Sequence, residues 1–139
     1  MKLTIGQPGF ERAWCLPRWF DCLEQQNLAP KEDITLCFAY SKGFDGTYDV
    51  LRRRGEEYGN LMIYEYDLPT YSHREDMTRF HALTTLRNSL LDMVKETDAD
   101  YFLSWDNDIV FWPERLQKLF EVAGPDRSVG ALMDMGGQD

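Results

Sequence analysis

The chain has 139 residues, enough for one domain that buries roughly two thirds of its unfolded surface. Apolar residues make up 43% and aromatics 14%, which argues for a real core and against disorder. A formal net charge of −9 argues against a nucleic-acid partner, which needs a basic stripe to displace phosphate counterions. It leaves room for a small anion, because one or two arginines and a metal reverse the field locally.

The N-terminus, "MKLTIGQPGF", has one lysine and few apolar residues before Gly6 and Pro8, unlike a signal peptide. No later run approaches the ~20 apolar residues of a membrane span. Leu3 to Ile5 predicts a short strand stopped by Gly6, Pro8 and Gly9. Pro17 suits the first turn of a helix, where Leu16, Phe20 and Leu23 repeat at helical spacing. "ITLCFAY", Ile34 to Tyr40, is a continuous apolar run, as for a strand covered on both faces. After "SKGFDG", Thr47 or Asp45 caps a helix running to about Gly55 or Tyr58.

"LMIYEY", Leu61 to Tyr66, is the third strand candidate, and a loop to about Arg74 leads into the longest helix, near Asp76 to Thr97. Its expected stripe is Phe80, Leu83, Leu86, Leu90 with Leu91, and Val94. "DYFLSW", Asp100 to Trp105, is the fourth strand; Pro113 opens a helix to about Val122, and "SVGALMDM" reads as a fifth strand.

Strands alternating with helices predict right-handed crossovers in one α/β domain over residues 1–139, a three-layer α/β/α sandwich with a mainly parallel sheet. The ligand crevice of such a sheet lies beyond the C-terminal strand ends. Three loops converge there: Gly6 to Arg12, Ser41 to Asp45, and Asp106 to Asp108.

Cys15, Cys22 and Cys37 lack metal-site spacing and read as buried free thiols in a reducing compartment, so a cytoplasmic protein is expected. His73 and His81 form no metal spacing with each other. Arg52, Arg53 and Arg54 read as an exposed face near a helix C-terminus, and Trp105 and Trp112 as core or sheet-edge packing.

Asp106-Asn107-Asp108 follows an apolar strand. In an extended segment residues i and i+2 point the same way, so Asp106 and Asp108 would aim two carboxylates at one point with Asn107 directed elsewhere. Converging carboxylates repel unless a cation or a proton sits between them, and hard oxygen ligands suit Mg²⁺ or Mn²⁺. The same residue types also make plain turns, which keeps both readings open. A calcium loop opening at Asp106 is rejected, because its fifth, sixth and twelfth positions are Val110, Phe111 and Gln117.

Three segments together resemble the GT-A fold glycosyltransferases, particularly the family 2-like members. "PGFERAWCLPRWFDCL" is similar to their Pro-x-Tyr-Asn-Arg element: Pro8, Phe10 and Arg12 match in type, and Glu11 stands where Asn is usual. "LRNSLLDMVKETDADYFLSWDND" is similar to their Ala-Arg-Asn helix leading through a strand into an Asp-x-Asp motif. "SKGFDGTYDVL" resembles the segment after their second strand, with Asp45-Gly46-Thr47 matching. The family's base-reading Asp falls at about Ala39 or Tyr40 here, and Trp105 replaces an aliphatic residue.

The resemblance implies transfer of a sugar from a nucleotide-diphosphate sugar to a glycan, lipid or protein acceptor. Pro8, Phe10, Arg12, Asp45, Arg87, Asn88, Asp106 and Asn107 would bind the donor, and Asp106 and Asp108 would hold Mn²⁺ or Mg²⁺. Only about thirty residues follow the Asp-x-Asp motif, whereas the family's acceptor site and catalytic base come from that later part. The chain therefore reads as the N-terminal, donor-binding half, with the acceptor part short, absent or supplied by a partner chain. The alternative is a catalytically silent nucleotide-binding or interaction module of the same fold. A sugar nucleotidyltransferase would need a Gly-x-Gly-Thr-Arg-like loop, which "GQPGFER" lacks.

Overall fold

The computed structural model describes residues 1–69, 77–124 and 128–130. Four strands, β1 (Leu3–Gly9), β2 (Ile34–Ser41), β3 (Asn60–Tyr66) and β4 (Tyr101–Ser104), form a wholly parallel sheet of order β3-β2-β1-β4. Helices α1 (Leu16–Glu24), α2 (Thr47–Gly55), α3 (Met77–Lys95) and α4 (Arg115–Val122) follow the strands in turn. The chain starts in the middle of the sheet, moves outward to β3, then crosses back to place β4 on the other side of β1. That reversal puts a crevice beyond the C-terminal ends of β1 and β4.

Side chains alternate across the sheet and build two cores. On one face Leu3, Ile5, Leu36 and Phe38 pack with α1, Leu51 of α2 and Leu116 of α4. Trp19 lies at its centre, fully buried, with ring centroids 5.0 Å from Phe20, 6.0 Å from Phe38 and 4.9 Å from Trp105. On the other face α3 sets Leu86, Leu90 and Met93 against Cys37 and Ala39. The expected α/β/α layering is therefore present. Residues 131–135 of the expected fifth strand, like His73 and Asp76, lie outside the described residues, and Ser128 to Gly130 are irregular.

Three expectations are corrected. Gly6 does not stop β1, which continues in register with β2 to Gly9, pairing Pro8 with Ala39 and Gly9 with Tyr40. The reason lies in which neighbour each residue faces. Even-numbered residues bond toward β4: Asp100 N–H donates to the Lys2 carbonyl and Trp105 N–H to that of Gly6. Pro8 is next in that series, and β4 has already ended opposite Gly6; the Trp105 carbonyl, which an N–H at position 8 would serve, accepts from Gln7 Nε2 instead.

The stripe of α3 is also rotated. Ala82, Leu86, Leu90 and Met93 are buried, whereas Phe80 and Leu91 are about half exposed. The helix packs on a floor that includes the small residues Gly6, Cys37 and Ala39. Gly6 makes the approach possible, since a Cβ there would stand 2.7 Å from Leu90 Cδ1 and 3.0 Å from Phe102 Cε2. Finally, Arg54 is not a solvated cation but joins α2 to α1, pairing with Asp21 at 2.8 Å and Glu24 at 3.5 Å over the Phe20 ring.

Trp105 is buried as expected, but Trp112 is 76% exposed. All three cysteines are buried free thiols. Among the described residues no helix is long and apolar enough to cross a membrane.

Placing Val at position 6 would force α3 off the sheet. Gly6→Val is expected to lose about 1–3 kcal/mol of stability, the usual cost of overpacking. The readout is a lower urea midpoint at an unchanged denaturant slope.

Candidate functional site

The candidate site begins where the β1–β4 ladder ends. Beyond the last paired residues, Gly6 and Ser104, the Pro8 carbonyl has no strand partner and instead accepts a hydrogen bond from Asn107 Nδ2 at 3.2 Å. Residues 106–109 form a tight turn, with Ile109 N–H donating to the Asp106 carbonyl at 3.3 Å. Trp105 Nε1 donates to the Ile109 carbonyl at 2.8 Å and braces it. The extended geometry expected for Asp106 to Asp108 is thus replaced by a turn, because the peptide groups bond locally once β4 stops. The turn still sends Asn107 inward and leaves Asp106 and Asp108 on the rim.

Both aspartates border an open cleft of about 190 Å³. Its walls are the Pro8-Gly9-Phe10 segment with Arg12 on one side and the α3 residues Arg79, Leu83, Leu86 and Arg87 on the other. Arg87 pairs with Asp106 at 3.3 Å, both side chains being nearly half exposed. Arg12 Nε is buried with no hydrogen-bond partner among the described residues, and its guanidinium carbon lies 5.8 Å from the Trp14 ring centroid.

Pro8, Phe10, Arg12, Arg87, Asp106, Asn107 and Asp108, all read from the sequence as site residues, therefore meet in one cleft. Asn88 and Asp45 do not line it. Asn88 is exposed beside Arg87, because adjacent residues on a helix face different directions. Ser41, which opens one of the three loops expected to converge, lines the cleft, and so does Arg79, which was missed. Arg79 was detectable: it lies eight residues before Arg87, on the same helix face about 12 Å away.

Asp45 has a different task. Its Oδ1 accepts from Thr47 N–H at 3.1 Å and from Thr47 Oγ1 at 2.6 Å, and its Oδ2 accepts from Ala13 N–H at 3.2 Å. Thr47 Oγ1 in turn accepts from Arg12 N–H at 2.8 Å. The carboxylate thereby joins the start of α2 to the loop that presents Arg12. Partial burial pushes the Asp45 pKa up, but the hydrogen bonds from Thr47 and Ala13 outweigh it and hold the carboxyl below its ordinary value.

The described residues contain no group of three or more His, Cys, Asp or Glu side chains placed to hold a metal. What the cleft offers is two carboxylates beside open space. That donor set suits a hard cation that keeps water and takes its remaining oxygens from a ligand, as Mg²⁺ does, rather than a closed all-protein cage.

No family model and no curated protein sequence matches the chain. Solved structures do match in fold. TarS from S. aureus aligns over 87% of this chain and 19% of its own, at a TM-score of 0.62 and 16% identity. TarS 1-349 in complex with UDP-GlcNAc aligns over 88% of this chain and 30% of its own, at 0.58 and 16%. The mannosyltransferase PcManGT from Pyrobaculum calidifontis, in complex with GDP-Man and Mn²⁺, aligns over 86% and 31%, at 0.59 and 19%. The fold is that of the GT-A glycosyltransferases, as the sequence motifs implied. The chain spans between about a fifth and a third of these proteins' lengths.

Asp45→Ala is expected to lose about 1–2 kcal/mol at pH 7, the scale of one or two hydrogen bonds. Because the folded pKa lies below the ordinary 3.8, this stabilisation is complete above pH 3.8 and fades as pH falls through the folded value. Urea melts of both proteins from pH 7 downward should therefore converge at the acid end.

Proposed function

We propose that the chain is the donor-binding domain of a metal-dependent glycosyltransferase. It would take a nucleotide-diphosphate sugar across the C-terminal strand ends. The observation that carries this reading is the meeting of Asp106 and Asp108 with Arg12, Arg79 and Arg87 around one open cleft, in a GT-A fold. Structures that share the fold hold UDP-GlcNAc or GDP-Man with Mn²⁺, which supports a ligand of the same chemistry here.

In this reading Asp108, with Asp106, holds Mn²⁺ or Mg²⁺. When bound, the cation neutralises charge that gathers on the diphosphate as the glycosidic bond breaks. In this reading the Arg12, Arg79 and Arg87 side chains that line the cleft pair with phosphate oxygens, bidentately where the fork can face them. Sites that enclose a drug-sized ligand run to roughly 300–1,000 Å³. A cleft of about 190 Å³ encloses only part of a nucleotide sugar, and we assign it to the diphosphate.

The test is thermal unfolding with UDP, GDP, CDP and dTDP, each with and without Mn²⁺. A nucleotide at 100 times its Kd should add about 2.7 kcal/mol, a rise on the order of 10 °C for a domain of this size. Asp108→Asn should abolish the Mn²⁺-dependent part. Absence of a metal-dependent shift with every nucleotide would overturn the donor-site reading. Sugar transfer or donor hydrolysis from the matching nucleotide sugar then separates an enzyme from a silent binding module.

A further inference from the structure

Beneath the turn that carries the two aspartates lies a closed polar bracket that no cleft-lining argument uses. Gln7, on β1, is fully buried. Its Nε2 donates to the Trp105 carbonyl at 3.1 Å, and its Oε1 accepts from Tyr40 Oη, at the end of β2. Tyr40 Oη also accepts from Asn107 Nδ2 at 3.2 Å, and the same amide donates to the Pro8 carbonyl. Cys15 Sγ, just before α1, lies 3.8 Å from Asn107 Oδ1 and 3.6 Å from the Arg12 carbonyl, two acceptors that share its one proton.

Every polarity in this chain is consistent. Burial pushes the Tyr40 hydroxyl far above its ordinary pKa, so it keeps the proton it gives to Gln7. Burial also raises the Cys15 thiol, with Arg12 opposing, so Cys15 remains a donor. Gly9 is what admits the Tyr40 ring: a Cβ at that position would stand 2.6 Å from the ring's Cε2 and 2.9 Å from Asn107 Nδ2.

The bracket holds two points on either side of Asp106: the carbonyl of Trp105, through Gln7, and the side chain of Asn107, through Tyr40 and Cys15. Asn107 is also the residue between the two carboxylates. We infer that Tyr40, with Gln7, is a positioning residue that fixes the directions of Asp106 and Asp108 and so sets the site's affinity for a divalent cation. A buried network with every member satisfied is stiff, whereas a loose turn would have to order its carboxylates each time a cation bound. This inference rests on the donor-site reading above.

The experiment measures Mn²⁺ affinity, from the loss of the free-ion electron paramagnetic resonance signal, at 10 °C with saturating nucleotide from the panel above. Wild type is compared with Tyr40→Phe, Gln7→Leu, Cys15→Ser and Asp108→Asn, and each variant's thermal midpoint is recorded. Tyr40→Phe and Gln7→Leu should weaken Mn²⁺ about tenfold while folded at the assay temperature. Cys15→Ser, which retains a donor, should stay near wild type. Wild-type Mn²⁺ affinity in Tyr40→Phe and Gln7→Leu, with the thermal midpoint alone lowered, would overturn the positioning role and leave the donor site standing. Equal binding by wild type and Asp108→Asn, or none by either, would overturn both.

Discussion

The site exists because β1 loses one of its two neighbours at Pro8. Up to Gly6 the backbone of β1 is shared between β2 and β4; beyond it, only β2 remains. Proline at the first β4-facing position beyond the ladder removes the N–H that would donate to a longer β4. The carbonyl of Pro8 still needs a donor, and Asn107 supplies one from its side chain. A side chain thus completes a sheet that the backbone leaves open. The chain after β4 is then free to turn, and the turn exposes two carboxylates at the edge of a covered sheet.

Burying Gln7, Tyr40 and Asn107 side by side is costly unless each group is satisfied, roughly 1–3 kcal/mol for every orphaned donor or acceptor. The same volume filled by apolar side chains would contribute at least as much stability. What an apolar core cannot do is hold the Trp105 carbonyl and the Asn107 amide in fixed directions. The apolar part of the task is left to Trp19 and Phe111, which pack against the Trp105 ring at 4.9 Å and 5.3 Å. Trp105 therefore joins the two systems: its ring belongs to the core, and its carbonyl belongs to the bracket.

Strands and helices were legible because the core imposes their periods: Ile34 to Tyr40 is buried on both faces, and Leu16, Phe20 and Leu23 repeat on one face of α1. The end of β1 was not, because Gly6 and Pro8 are breakers by local propensity, while their roles depend on partners some 30 and 100 residues away. The stripe of α3 was misjudged for a related reason. Phe80 and Ala82 face opposite sides of α3, and packing on the sheet, not side-chain size, decides which side is buried. In the candidate site, residue types that converge on a cleft were visible as short motifs. Asp45 was read as a site residue from a third segment yet binds Thr47 and Ala13; its place at the start of α2 was visible locally, but its bond to Ala13, 32 residues away, was not.

The charge arrangement in the cleft decides how it can work. The chain carries a net charge of −9, yet Arg12, Arg79 and Arg87 line the cleft together with Asp106 and Asp108. Arg87 and Asp106 neutralise each other at 3.3 Å, but both are open to water, and exposed pairs are worth no more than about 1 kcal/mol. Such a pair is easily exchanged. A cation at the aspartates would take over Asp106 and leave Arg87 available to an anion, so each ligand would favour the other's binding by the same factor. Had the pair been buried, breaking it would have cost about 3–5 kcal/mol and opposed both ligands. In the donor-site reading, its exposure would let the resting contact give way to a metal and a diphosphate together.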